Sequence, residues 1–318
     1  MIRRFILLAS AIMWVGGCHE PDATDSASDV SAEDSTTADS GANDATGKDA
    51  GTVDTGPPGP VTRLTVIDDL LFTTSSGGEA VGFDLDNVVS DGSEESTCYN
   101  ADFTSPDGVE GVDNKLATLV PFFEAFGIGA AQGLIQDAIE TGGILLMLQV
   151  DGIDDPLNDD DVTVTVRAGF GLPLLGTDGK LLAGQTFSIH EDTADSQGSG
   201  RLVDGVLHAG PLEVEIPIVI FGIRYDLTFL ETQLIATWTE DGGLKTGMLG
   251  GSVRIPDLIT IGEIAAADDG SVLTAIQGLL GTAGDSAPDE EGVCQQISGT
   301  FTFSAVSAFL YPEESAGK

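Results

Sequence analysis

The chain has 318 residues, with 12 basic against 52 acidic side chains and a formal charge of −40. That charge excludes electrostatic binding of nucleic acid, which needs clustered Lys and Arg, and charge-driven adsorption to anionic membrane. A hydrophobic content of 41% is enough for one sizeable core and too much for a wholly disordered chain.

The N-terminus reads as a processing signal. Arg3 and Arg4 form a basic start, and Phe5 to Val15 is an apolar stretch of 11 residues. A membrane-spanning helix needs about 20. The stretch ends in Val15-Gly16-Gly17-Cys18. This resembles a bacterial lipoprotein signal peptide with its lipobox: an aliphatic residue, two small residues and a cysteine. The resemblance implies that residues 1–17 are removed and that the Cys18 thiol is lipidated, which anchors the chain to membrane. It also implies the cell envelope as location. His19 stands where some bacteria place an inner-membrane retention Asp, which leans toward the outer membrane. An ordinary secretory peptide with a chance cysteine is the alternative.

Residues 18–60 read as a tether. From His19 to Pro60 there is no aromatic residue and no Leu, Ile, Met or Cys, and ten acids face one base, Lys48. Such a segment buries too little apolar surface to offset chain entropy, and its like charges extend it. Fully stretched it spans about 140 Å at about 3.3 Å per residue; as a flexible coil it spans roughly 35 Å. Gly56-Pro57-Pro58-Gly59-Pro60 closes it with a stiff junction.

Residues 61–318 read as a single folded body. Once lipid takes Cys18, Cys98 and Cys294 remain. In an exported chain two thiols most simply form one disulfide; two free buried thiols are the other option. A loop this long, once closed, is worth up to about 5 kcal/mol in the chain-entropy model.

In chain order, Leu116, Leu119, Val120, Phe123, Phe126, Ala130, Leu134, Ile135, Ala138 and Ile139 follow a helical stripe. Asp113 is placed to cap it, while Pro121 and three glycines predict a kink or two shorter pieces. Ile144–Val150 is a continuous apolar run, as in a fully buried strand. Val162–Arg167, Leu212–Ile220, Leu234–Trp238 and Thr300–Ala305 alternate with the period of a strand. Pro217 predicts an edge or a bulge. Asp241-Gly242-Gly243 predicts a turn into a strand over Leu244–Arg254. The glycines of Gly247–Gly251 read as sheet bends or turns. A second helical pair is expected at Asp257–Ala266 and Ser271–Leu280. The fold class is mainly β with some α: an antiparallel β-sandwich-like or curved-sheet body with helical insertions.

Catalytic signatures are scarce. No nucleophile elbow, phosphate loop or paired metal-binding histidines occur in the sequence. His190-Glu191-Asp192 is a chance-level triplet, and no catalytic residue is assigned. Trp238 falls in an alternating strand and reads as core. Oxygen-rich loops are the stronger signal. Asp84, Asp86 and Asp91 lie before Asp102, Asp107 and Asp113, with Asp-Gly turns between them. Calcium takes six to eight oxygens on tightly turning loops. The stretch loosely resembles the calcium loops of dockerin and thrombospondin type 3 modules. It departs from the EF-hand: with Asp107-Gly108 at positions five and six, Phe103 and Asn114 fall on two main ligand positions. A third acidic group is Asp151, Asp154, Asp155, Asn158, Asp159, Asp160 and Asp161. Calcium at these loops, with no other cofactor, stands against solvated acidic turns.

The order of lipobox, acidic tether, Gly82-Phe83-Asp84-Leu85-Asp86, Cys98, Asp107-Gly108 to Asn114, then helix and apolar sheet resembles uncharacterised envelope lipoproteins of myxobacteria and their relatives. The resemblance implies location and architecture. Three functions follow as expectations. One is a non-catalytic binding or structural module with an envelope or extracellular partner. Another is a carrier of a hydrophobic ligand, from the apolar runs. The third is a carboxylate-dependent hydrolase.

Overall fold

The computed structural model describes residues 59–125, 131–190, 194–220, 223–266 and 270–312. Cys18, the signal segment and nearly all of the tether lie outside the described residues, as do Glu191 and Asp192. The described residues fall within one compact unit, Gly56–Lys318.

The strands are β1 (Val61–Phe72), β2 (Leu146–Ile153), β3 (Asp159–Phe170), β4 (Gln185–Ile189), β5 (Ser196–Val203), β6 (Val206–Ile220), β7 (Ile223–Trp238), β8 (Leu244–Arg254), β9 (Ser286–Pro288) and β10 (Cys294–Leu310). Four helices join them: α1 (Leu116–Ala125), α2 (Ala131–Glu140), α3 (Ile255–Ala266) and α4 (Gly270–Leu280). The body is mainly β, as expected.

The sheet is curved to the point of closure. Antiparallel pairing runs β1–β2–β3–β5–β6–β7–β8–β10 and returns from β10 to β1. Each of these eight strands therefore has a partner on both sides, which removes the open edges that invite aggregation. Stepping across paired residues from Val66 around the ring returns to β1 beyond Phe72, the stagger that a closed sheet requires. β4 pairs parallel to β10 and antiparallel to β3, so the sheet is mixed through this one strand.

The ring interior is filled by alternate residues. Ile67 and Leu70, Leu146 and Leu148, Val162, Val164 and Val166, Leu207, Val214, Phe229, Leu234, Leu249, and Phe301 with Phe303 share one core. Phe229 is fully buried, and its ring meets Phe301 at 5.5 Å between centroids. Trp238 is half-buried against this core with the Arg63 guanidinium 4.8 Å above its ring.

Where β1 rises past its last β2 partner, Val66, its backbone needs other partners. Helix α2 provides them. Gln132 accepts from the Phe72 amide at 2.9 Å and donates to the Leu70 carbonyl at 2.7 Å, and Gln136 donates to the Asp68 carbonyl at 3.1 Å. α2 also touches β6, which stands opposite β1 in the ring, so the helix lies across the ring rather than beside one strand.

Two local expectations are corrected. The cap of α1 is Asn114, whose side-chain oxygen and carbonyl both accept from the Ala117 amide; Asp113 instead turns toward Leu85. Gly247, Gly250 and Gly251 sit inside β8, not at bends. A Cβ at Gly247 would lie 2.6 Å from the Phe303 ring, and one at Gly250 would lie 2.6 Å from the ring of Phe83. Aromatic rings take the space a side chain would need at Gly247 and Gly250, and the Leu230 carbonyl and Thr232 take it at Gly251. Pro217 behaves as expected: the β5 pairing of β6 ends at Ala209, so beyond it β7 is the one strand partner.

Candidate functional site

The 73–115 segment has little regular structure. Its chain is organised by isolated bridges: Glu79 to Thr104, Phe83 to Asp113, Asp91 to Ala101 and Phe103 to Val112. Phe83 presses into the floor left by Gly250, which fixes the neighbouring Asp84 and Asp86 relative to the ring. The Phe83–Asp113 bridge, with the Asp113 amide donating to the Phe83 carbonyl at 2.8 Å, brings the third carboxylate alongside.

Carboxylate oxygens of Asp84, Asp86 and Asp113 all lie within 4.8 Å of one another. Asp113 accepts from the Leu85 amide at 2.7 Å, and Asp86 from the Val88 amide at 2.8 Å. Asp84 Oδ1 is buried with no hydrogen-bond partner. Gly111, at φ +85°, leaves room for this group: a Cβ there would stand 3.3 Å from the other Asp84 oxygen. Burial pushes the Asp113 carboxyl up to about 7, against the Leu85 hydrogen bond and with help from Asp86, Asp102 and Asp285. Asp102 is also raised, first by burial and then by Asp86, Asp84 and Glu94; the Ser90 amide, which Asp102 accepts at 2.6 Å, opposes this. Clustered carboxylates with an unpartnered buried oxygen store repulsion and desolvation that a divalent cation relieves. An all-oxygen donor set of this kind could hold a hard cation.

Of the six aspartates expected at the site, the fold brings together Asp84, Asp86 and Asp113, with Asp102 close enough to feel their charge. Asp91 and Asp107 are not brought into this group. Asp91 accepts from the Ser93 amide at 3.0 Å in its own turn. Asp107 is exposed at the tip of the Phe103–Val112 hairpin, outside the group. Asp-Gly spacing pointed to these two as ligands because it marks turns, and a turn tip faces water. The 151–161 acids are likewise used locally: Asp159 accepts from the amides of Asp154, Asp155 and Asp161.

Sequence reasoning missed Asp285. It is half-buried beside the site, accepts from the Ser298 amide at 2.8 Å and from the Ser298 hydroxyl, and is pushed up to about 6 by desolvation. Lys115 lowers it, and Lys115 Nζ donates to Asn100 at 2.7 Å. The Cys98–Cys294 disulfide, with Cα atoms 6.0 Å apart, ties the same segment to the start of β10. At the other end of the body His190 Nε2 lies 2.7 Å from the Arg224 guanidinium, a contact between two basic groups rather than a base–acid pair.

The fold and site together define an antiparallel closed-ring β-protein with a carboxylate cluster clamped to its side. No protein-family model, curated protein or solved structure matches the chain.

Proposed function

We propose that this protein is a lipid-anchored envelope module, held through Cys18, whose non-catalytic body is locked by calcium at Asp84, Asp86 and Asp113. The observation that supports the calcium reading is the unpartnered, buried Asp84 oxygen within reach of two further carboxylates. The lipobox residues support the anchor, and the acidic tether joins the body to it with enough reach for the body to meet an envelope or extracellular partner. Melting of the purified full chain with calcium and with chelator tests the ion. Melting should rise with calcium in the native chain and not in Asp84→Asn/Asp113→Asn. Identical curves in calcium and chelator would remove calcium from the reading. The mass of the N-terminal peptide from membrane-extracted protein tests the anchor separately.

A hydrophobic-ligand carrier is the second reading, because closed eight-stranded antiparallel rings serve that purpose. Against it, Phe229, Leu249, Phe301 and Phe303 already occupy the interior. Native mass spectrometry decides: a co-purified lipid mass that survives removal of the anchor would favour the carrier.

A further inference from the structure

The connection from β3 to β4 carries five exposed large apolar side chains, Phe170, Leu172, Leu174, Leu175 and Leu182. Phe170, Leu172 and Leu174 are exposed, Leu172 to 77%, and Leu182 faces them from the other arm of a small hairpin. The hairpin is well formed: the Leu182 amide donates to the Leu174 carbonyl at 3.0 Å and Gly176 to Lys180 at 2.8 Å. Gln185 sews it to β4, accepting from the Leu174 amide and donating to the carbonyls of Leu174 and Leu182. β4 runs beside the end of β10, where Phe309 and Tyr311 are each 61% exposed. Exposed Leu, Phe and Tyr joined on a rigid support are costly to leave in water, and such patches mark interaction sites.

Charge selects among partners. Residues 169–184 hold one acid, Asp178, and one base, Lys180, and residues 305–312 hold none, in a chain of net −40. A second copy would bring the same large negative charge against this face, so self-association is disfavoured. A neutral lipid surface carries no such penalty. Aromatic rings and a long basic side chain suit the headgroup boundary, where the ring and stem are buried and the charge stays wet. The chain also enters the body nearby. Thr65 of β1 pairs with Ser307, and the Ser307 carbonyl accepts from Gly184 at the base of the hairpin. The start of β1, where the described chain begins, therefore lies near this face.

We infer that the 170–184 hairpin and the end of β10 form a face that rests on the headgroup–acyl boundary of a neutral bilayer. For its proximity to lipid this rests on the anchoring reading; for its chemistry it rests on the body alone. Docking would make the hairpin a second foot and hold the carboxylate cluster in a defined orientation to the membrane.

Amide hydrogen exchange of the full chain, with and without phosphatidylcholine vesicles, tests it. Vesicles should slow exchange over 170–184 and 308–312, and phosphatidylglycerol vesicles should slow it less. Leu172→Asp/Leu174→Asp removes only exposed side chains, so it should melt as the native chain does and lose the protection. Unchanged exchange on vesicles would overturn the inference. So would protection that survives the double substitution, or protection that grows with protein concentration without vesicles, which would identify a second copy. A chain whose N-terminal peptide lacks the lipid mass still reports on this face when added to vesicles, so failure of the anchor is read apart from failure of the face.

Discussion

The ring and the 73–115 segment are held by different physics. In the ring every strand exchanges ladder hydrogen bonds with two neighbours, and alternate side chains fill one apolar interior. In the segment isolated bridges, turn-capping carboxylates, one disulfide and a half-buried acidic cluster take over. A ring is stabilised by area removed from water. A segment without that area depends on covalent closure and on charge balance. The difference teaches that the candidate-site carboxylates sit where the backbone is least regular, on a support that is most regular.

The largest way to break this contrast is to open the disulfide. Cys98→Ser/Cys294→Ser should cost up to about 5 kcal/mol. Exchange should quicken over 79–114 before the ring's strand signal is lost. Coincident loss of both would show a single cooperative unit. Next, Phe229→Ala should cost about 4 kcal/mol, because it empties the centre of the ring; denaturant melts measure it, and the calcium response should survive. Third, calcium at a hundredfold excess over its dissociation constant should add about 2.7 kcal/mol, which Asp113→Asn should abolish in the same melts.

A smaller effect sharpens the electrostatic side. Asp285 has its folded pKa pushed up from 3.8 to about 6. The folded state thus holds the proton more tightly than the unfolded chain. The resulting stability is full below about pH 4 and is lost as pH rises through about 6. Asp285→Asn, whose amide still bonds both Ser298 groups, should therefore be more stable than the native chain at pH 8, by on the order of 2 kcal/mol, and no more stable at pH 4. Thermal melts across that range give the sign directly. The smallest effect concerns the join between regions. Gln132→Ala removes two hydrogen bonds from the exposed backbone of β1 and should cost about 1 kcal/mol, with faster exchange of the Phe72 amide as its signature.

Legibility in the sequence followed locality. β3, β6, β7 and β10 showed alternation over part of their length and α3 and α4 their helical stripe, while β8 was expected from the Asp241-Gly242-Gly243 turn that leads into it. β1 showed no alternation. Thr65, Val66, Ile67 and Asp68 are all buried, and the register shifts between Ile67 and Asp69, which erases the period of two. β5 reads Ser-Gln-Gly-Ser-Gly, the composition of a loop. It is a strand because Leu212 crowds Gly198, and Val164 and the His208 carbonyl crowd Gly200, leaving no space for side chains. At the site, Asp84, Asp86 and Asp113 were visible as oxygen donors, whereas Asp285 carried no signal, being a lone acid far along the chain.

The sequence by itself determined the mainly β class, the two body cysteines available for a disulfide and the supply of hard oxygen donors. Each depends on residue type or on short-range periodicity. Tertiary structure alone decided that the sheet closes, that Asp91 and Asp107 stay apart from the other acids, and that an apolar hairpin remains uncovered. Those outcomes depend on which distant backbones meet: β10 on β1, Phe83 on Gly250, Gln185 beside Ala308. Non-local contacts are chosen by packing the whole chain at once, so no window of neighbouring residues encodes them.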